Sequence, residues 1–190
     1  MVNRVRCCAR VYLLAFGMGL TGAAFAAESW RVDYDKSRIG FIARYDSIEF
    51  PGIFERWRGE FLFAPYALNK SKFDIIVDMA SVNTRSRDRD IGIRSEEWFD
   101  VAQFGKARYV TKRFERRPDG AFEVVADFRV KGVTQPLRST FSWADVGDTR
   151  RLRGRVKVDR RTLKIGTGEW AEDAVIGFGV TITYDIVMRK

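Results

Sequence analysis

Large apolar residues occupy every second position along most of the chain after residue 29. The clearest stretch is residues 176–188, where the residues between the large apolar ones are mostly small or polar. A period of two is that of a β-strand with one buried face. The same pattern predicts strands at residues 30–34, 39–46, 53–64, 72–79, 107–114, 122–131, 137–143 and 151–158. Pro51-Gly52 and Pro118-Asp119-Gly120 predict turns between strands.

The alternation stops between residues 81 and 109. A charged run, RSRDRD, is followed there by a compact apolar group that includes Trp98 and Phe99. This break predicts a short helical segment near residues 86–100, laid across one end of the sheet. We expect Trp98 and Phe99 to point inward, either as a lid over a ligand or as a plug that only seals the end.

The strand pattern predicts an all-β fold. Several predicted strands reach about ten residues, longer than the usual five or six, and no long helical period separates them, which argues against parallel βαβ units. An up-and-down antiparallel barrel of about eight strands fits this pattern. A barrel of that size is either filled by its own side chains or holds one small ligand, and the alternation alone leaves both interiors open.

The first 26 residues have the pattern of a cleaved secretory signal peptide. Arg4, Arg6 and Arg10 precede an apolar run, and Ala24-Phe25-Ala26 supplies a small-x-small cleavage site. We therefore expect export to the periplasm and a single domain at residues 27–190. Cleavage would remove both cysteines and lower the formal charge from +9 to +6.

The chain contains no histidine, which excludes Ser-His-Asp catalysis and ordinary histidine zinc sites. We expect neither a metal nor another cofactor. Asp88 with Asp90 and Glu96 with Glu97 are the remaining acidic pairs. They are interpreted as solvated loop residues, and a small carboxylate-dependent hydrolase is the less favoured alternative.

Basic residues form two groups. One is predicted to lie on a single outward strand face and comprises Arg151, Arg153, Arg155 and Lys157. It is interpreted either as a solvated surface or as a contact for anionic phospholipid head groups or a ligand pyrophosphate. The other group comprises Arg85, Arg87, Arg89 and Arg94. These residues are predicted to contact a ligand phosphate or to pair with Asp88 and Asp90. Export argues against a nucleic-acid partner.

Several motifs together resemble the YceI-like family of periplasmic polyisoprenoid-binding proteins, from Trp30 to Arg189. The most specific is the run at residues 127–137, DFRVKGVTQPL, with Lys-Gly-Val-Thr-x-Pro at a turn. Further matches are Ser81-Val82-Asn83-Thr84, Trp98-Phe99-Asp100-Val101, Asp159-Arg160 and Glu169-Trp170. The family commonly has histidines where this chain has Lys36, Tyr45 and Gly92, and a proline at Gly105.

The resemblance implies a lipocalin-like barrel whose lumen holds a polyisoprenoid or similar long-chain amphiphilic lipid, for transport, storage or sequestration, without catalysis. An outer-membrane β-barrel is the main alternative, and a homodimer is left open. The candidate ligand-binding residues are Phe41, Phe61, Phe63, Ile75, Trp98, Phe99, Phe141, Trp143, Phe178, Val180 and Ile182.

Overall fold

The structure is a computed structural model that describes residues 28–172 and 175–189. The predicted signal peptide, residues 1–26, lies outside these residues. One α-helix is described, α1 (Arg87–Arg94), and it is not long and apolar enough to cross a membrane. The strands are β1 (Glu28–Val32), β2 (Arg38–Tyr45), β3 (Ile48–Phe54), β4 (Trp57–Phe63), β5 (Lys72–Asp78), β6 (Val82–Asn83), β7 (Lys106–Arg116), β8 (Phe122–Val130), β9 (Val133–Val146), β10 (Thr149–Asp159) and β11 (Gly179–Arg189).

These strands form a closed antiparallel barrel. Each of the first three barrel strands is interrupted and therefore consists of two segments: β1 and β2 form the first, β3 and β4 the second, and β5 and β6 the third. Strands β7 to β11 follow in chain order. Strand β11 closes the ring by pairing with β2 and, at its last residues, with β1. Counted in this way the barrel has eight strands, which confirms the predicted all-β, lipocalin-like fold with a short helical segment near residues 86–100.

The buried side chains of each strand point into the barrel, as the period of two predicts. On β9 the buried residues Leu137, Ser139 and Phe141 alternate with the exposed Arg138 and neighbours. An outer-membrane barrel needs the reverse, with apolar side chains outward in an apolar band. The orientation seen here is that of a barrel with an apolar interior.

One predicted turn is wrong. Pro51-Gly52 lies inside β3, where the two residues pair with Ile42 and Phe41 of β2, and the chain turns instead at Asp46, whose φ is 51°. Strand β3 pairs with β6 only at residues 53 and 54, so Pro51 lies at an edge where its missing N–H is tolerated. The strand predicted at residues 53–64 is also interrupted, because β4 begins only at Trp57.

The barrel interior has two different halves. The half that contains β1, β4 and the turn at residues 117–120 is filled by side chains, and we call it the closed half. Phe63 is fully buried at its centre, with ring centroids at 4.6–5.8 Å. The buried members of this cluster are Trp30, Ile39, Phe61, Phe63, Phe73, Phe114, Phe122, Val124, Phe141, Leu152, Ile186 and Met188.

Candidate ligand cavity

The other half, which we call the open half, encloses a cavity of about 490 Å³. That volume lies within the usual range of about 300–1,000 Å³ for small-molecule sites. Strand residues form most of the wall, and they are Ile39, Gly40, Phe41, Ala43, Tyr45, Phe50, Phe54, Val77, Ala107, Phe128, Val130, Val158, Val180 and Ile182. The lining is therefore almost entirely apolar, which suits a hydrocarbon ligand.

The segment that breaks the strand pattern covers this cavity. Helix α1 contributes Gly92 and the buried Ile93 to the lining, and the turn after it contributes Trp98 and Phe99. Phe99 packs on Phe54 of β3, with ring centroids 6.1 Å apart. The prediction that Trp98 and Phe99 point inward agrees with their position.

The β8–β9 turn anchors this covering segment. Lys131 and Gly132 both have positive φ, 46° and 73°, as a two-residue hairpin turn of the primed type requires. The Lys131 ammonium donates to the Glu96 carbonyl at 2.7 Å, and burial lowers the pKa of that ammonium. A side chain on Gly132 would press on the Phe104 ring. The Lys-Gly motif therefore both makes the turn and supports the covering segment.

A second anchor comes from residues 160–178. Arg160 is 1% exposed, and its guanidinium donates to backbone carbonyls along this loop at 2.6–3.3 Å. The acceptors are Ile165, Gly166, Trp170, Glu172, Ile176 and Gly177. A planar fork of five donors suits such a set of acceptors. Arg160 lines the cavity, yet its hydrogen bonds serve mainly to fix the loop.

The loop and the covering segment are also joined directly. The backbone N–H groups of Gly166 and Thr167 donate to the Glu97 carbonyl at 2.8 and 3.0 Å, and the Trp170 indole donates to the Glu97 carboxylate at 2.9 Å. The rings of Trp98 and Trp170 lie 5.7 Å apart. The roof of the cavity is thus a single hydrogen-bonded unit built from two distant parts of the chain.

Asp88 and Arg89 are the charged lining residues that helix α1 contributes. Arg89 donates to the hydroxyl and carbonyl of Thr84 at 2.9 and 3.0 Å, and its guanidinium lies 4.2 Å from the centre of the Phe50 ring. Asp90 accepts from the N–H and hydroxyl of Thr84 at 2.8 and 2.6 Å. Arg89 and Asp90 therefore both bind Thr84 rather than each other, which differs from the predicted mutual pairing.

The eleven predicted site residues are divided between the two halves. Five line the cavity, namely Phe41, Trp98, Phe99, Val180 and Ile182. Five belong to the closed half or pack against it, namely Phe61, Phe63, Ile75, Phe141 and Trp143. Phe178 contacts the guanidinium groups of Arg160 and Arg161 instead.

Sequence reasoning missed several lining residues. Phe50 was missed because Pro51-Gly52 was interpreted as a turn. Phe54 was missed because an uninterrupted strand over residues 53–64 gives its inward face to Trp57, Phe61 and Phe63, whereas the break between β3 and β4 lets Phe50, Gly52 and Phe54 share one inward face. Met79, Leu163, Ile165 and Trp170 lie in short 3₁₀ turns or connections. No strand or helix period marks such positions.

The acidic pairs carry structural hydrogen bonds through Asp90 and Glu97, as described above. Within residues 28–172 and 175–189, no group of three or more His, Cys, Asp or Glu residues is arranged to hold a metal. The outward basic face of β10 is partly neutralised, since Arg151 and Arg153 both bind Asp185, at 2.7 and 3.0 Å. The hydrogen bond from Arg151 lowers the pKa of the Asp185 carboxyl.

The fold and the site together define an eight-stranded antiparallel barrel with an apolar, roofed cavity. The model of the YceI-like domain matches residues 30–188, and the chain belongs to the YceI-like family. It is 30% identical over 113 residues to a UPF0312 protein of Pseudomonas savastanoi, a match covering 58% of this chain and 56% of that protein. The chain spans about half the length of the curated relatives it matches.

Two solved structures share the fold. BcnA of Burkholderia cenocepacia has a TM-score of 0.79 and 21% identity, over 83% of this chain and 99% of BcnA. A polyisoprenoid binding domain from Saccharophagus degradans, implicated in plant cell wall breakdown, has a TM-score of 0.68 and 14% identity. That match covers 86% of this chain and 98% of the domain.

Proposed function

We propose that the chain is a periplasmic binding protein that holds the tail of a polyisoprenoid or similar long-chain amphiphilic lipid in the open half of the barrel. Such a protein would transport, store or sequester its lipid and needs no catalytic group. The observation that carries the proposal is the roofed cavity of about 490 Å³ with an apolar lining. The polyisoprenoid-binding neighbour supports the choice of ligand class.

Burial of the tail supplies the favourable free energy of binding. Each buried methylene contributes about 0.8 kcal/mol, so about ten of them contribute about 8 kcal/mol. That amount corresponds to micromolar affinity before the costs of association and of ordering the tail are subtracted. The polar end would lie by Asp88 and Arg89, whose opposite charges suit a head group with both donor and acceptor atoms.

Native mass spectrometry of the protein purified from its host, followed by lipid extraction, tests the proposal. We expect a bound lipid that Val180→Trp excludes by filling the cavity. The matched control, Thr181→Trp, places the same side chain on the outer face of β11 and should retain the lipid. A barrel that is repeatedly empty and also takes up no added isoprenoid would refute the proposal.

The periplasmic location is part of the same proposal and is supported by the signal-peptide pattern of residues 1–26. Osmotic shock should release the protein from cells, and its N-terminal sequence should begin after Ala26. Recovery only with detergent, or residues that precede Ala24 in the mature protein, would contradict this location.

Transient contact with an anionic membrane surface also belongs to the proposal. The inner face of the β2–β3 hairpin extends from the cavity wall to the turn, where Tyr45, which lines the cavity, and Ile48 face each other with 47% and 72% of their surface exposed. Side chains of this kind enter the boundary region of a bilayer. Flotation with anionic vesicles should weaken in Ile48→Ser. It should not weaken in Tyr66→Ser, which alters an exposed residue at the opposite end of the barrel.

A further inference from the structure

Two tyrosines follow lining residues of the cavity at the next inward position of their strands, and both pack against the cluster of the closed half. On β7 the inward residue Ala107 lines the cavity and the next inward residue is Tyr109; on β11 Ile182 lines it and the next is Tyr184. Ile39, which pairs with Tyr184 across β2 and β11, both lines the cavity and belongs to the cluster of the closed half. The tyrosines therefore occupy the boundary between the two halves.

Topology places these tyrosines on opposite walls. With each interrupted strand counted once, β7 is the fourth strand of the ring and β11 the eighth, and β9 lies midway between them. Burial raises the pKa of Tyr109, and its contact with Ser139 of β9 opposes that rise. The Ser139 hydroxyl is also 3.5 Å from the Tyr184 phenol oxygen. The two side chains thus extend from opposite sides of the barrel towards one buried serine.

The position of Tyr184 is closely determined. Its phenol donates to the Thr140 carbonyl at 3.1 Å, and its ring lies over Gly154 of β10, where any Cβ would collide with it. Burial raises the pKa of both phenols, so they remain neutral hydrogen-bonding groups at physiological pH. We call Tyr109, Ser139 and Tyr184 the tyrosine crossbar.

We propose that the tyrosine crossbar is the floor of the ligand cavity and sets the longest tail that the protein can bury. This inference rests on the proposed lipid-binding function and adds its chain-length specificity. Below the crossbar, Phe61, Phe63 and Phe73 are 0–3% exposed and fill the closed half. A tail that reaches the phenols therefore has no further space, and additional carbons must remain outside the cavity.

The dependence of affinity on chain length tests the crossbar. For saturated primary alcohols of increasing length, measured by displacement of a fluorescent probe, each methylene that enters the cavity should strengthen binding about four-fold. The increase should stop at a break, the length at which the tail meets the phenols. Two residues of strand rise about 7 Å, so Tyr184→Ala and Tyr109→Ala should each move the break by several methylenes to longer tails.

Three further variants separate the floor from general damage to the fold. Tyr184→Phe keeps the ring and should hold the break in place, whereas Ile182→Phe extends into empty cavity and should move it to shorter tails. Thr183→Ala, on the outer face of the same strand, should leave it unchanged. Ile182→Phe keeps the test valid if the alanine variants fail to fold.

The outcomes distinguish this inference from the function on which it rests. A break that moves in both directions, as described, supports the crossbar. A wild-type affinity that increases without a break, or a break that no inward substitution moves, overturns the crossbar while leaving lipid binding intact. Failure of every alcohol to displace the probe would instead overturn the proposed function.

Discussion

In the closed half of the barrel, Phe63 is fully buried among other aromatic rings. In the open half, Phe41 has the same inward orientation, contacts Phe50 and Phe54, and faces the cavity. Both residues lie on strands with the same alternation of apolar and polar positions. The difference shows that alternation determines which way a side chain points, whereas the volumes of the facing side chains determine whether the interior is filled.

The largest expected effect is a difference in stability between the alanine variants of Phe63 and Phe41. Phe63→Ala leaves a cavity in a packed cluster and should lower the free energy of unfolding by about 3–5 kcal/mol. Phe41→Ala should cost less, about 2 kcal/mol, because part of its ring already faces empty space, and it should weaken lipid binding through loss of wall contact. Urea denaturation and probe titration measure both quantities.

The control for this pair is Tyr66→Ala, which truncates an aromatic residue that is 83% exposed and should change neither quantity. Equal losses of stability in Phe63→Ala and Phe41→Ala would mean that the two halves are equally packed, and the comparison would fail.

The second effect concerns the roof. Arg160→Lys keeps the positive charge but loses the fork that binds the carbonyls of residues 160–178. Since hydrogen bonds to charged groups contribute about 1.5–3 kcal/mol each, we expect the free energy of unfolding to fall by about 3 kcal/mol. The loop should also become sensitive to protease.

Arg161→Lys is a suitable control because Arg161 is an exposed neighbour that binds the Asp159 carboxylate. Arg161→Lys should lower the free energy of unfolding by at most about 1 kcal/mol. If Arg160→Lys were equally mild and left the loop resistant to protease, the loop would not depend on Arg160.

Much of this architecture could be predicted from the sequence. The barrel, its strand number and the central helix followed from residue periods and from one break in them, which are local properties. The division of the interior could not be predicted in this way. Ile182 and Ile186 occupy equivalent positions in one strand pattern, yet Ile182 lines the cavity and Ile186 is packed in the closed half. What each one meets depends on the register of eight strands, which a single strand pattern does not contain.

The roof illustrates the same limit. Glu97 and Trp170 are far apart in the chain but joined by a hydrogen bond, and residues 163–170 have no strand or helix period that would place them over the cavity. The motif at Asp159-Arg160 indicated a family, but only the structure gives its physical role, which is to hold the loop by its carbonyls.

The smallest expected effect is a loss of stability at alkaline pH that depends on Tyr109 and Tyr184, which lie at the boundary between the halves. Burial raises the pKa of Tyr109 and Tyr184 in the folded chain above the unfolded value of about 10. Their contribution to stability is therefore fully present below about pH 10 and is lost as the pH rises further. Each buried phenol should lower the free energy of unfolding by up to about 1.4 kcal/mol per pH unit.

Urea denaturation of wild type and Tyr109→Phe between about pH 9 and pH 11 measures this loss. The variant cannot ionise at position 109, so its stability should fall less steeply above about pH 10. Tyr66→Phe, which removes a phenol exposed to water, should follow the wild type. Identical slopes in all three proteins would mean that Tyr109 is as accessible to water as Tyr66, and the crossbar would then be part of the open half rather than its floor.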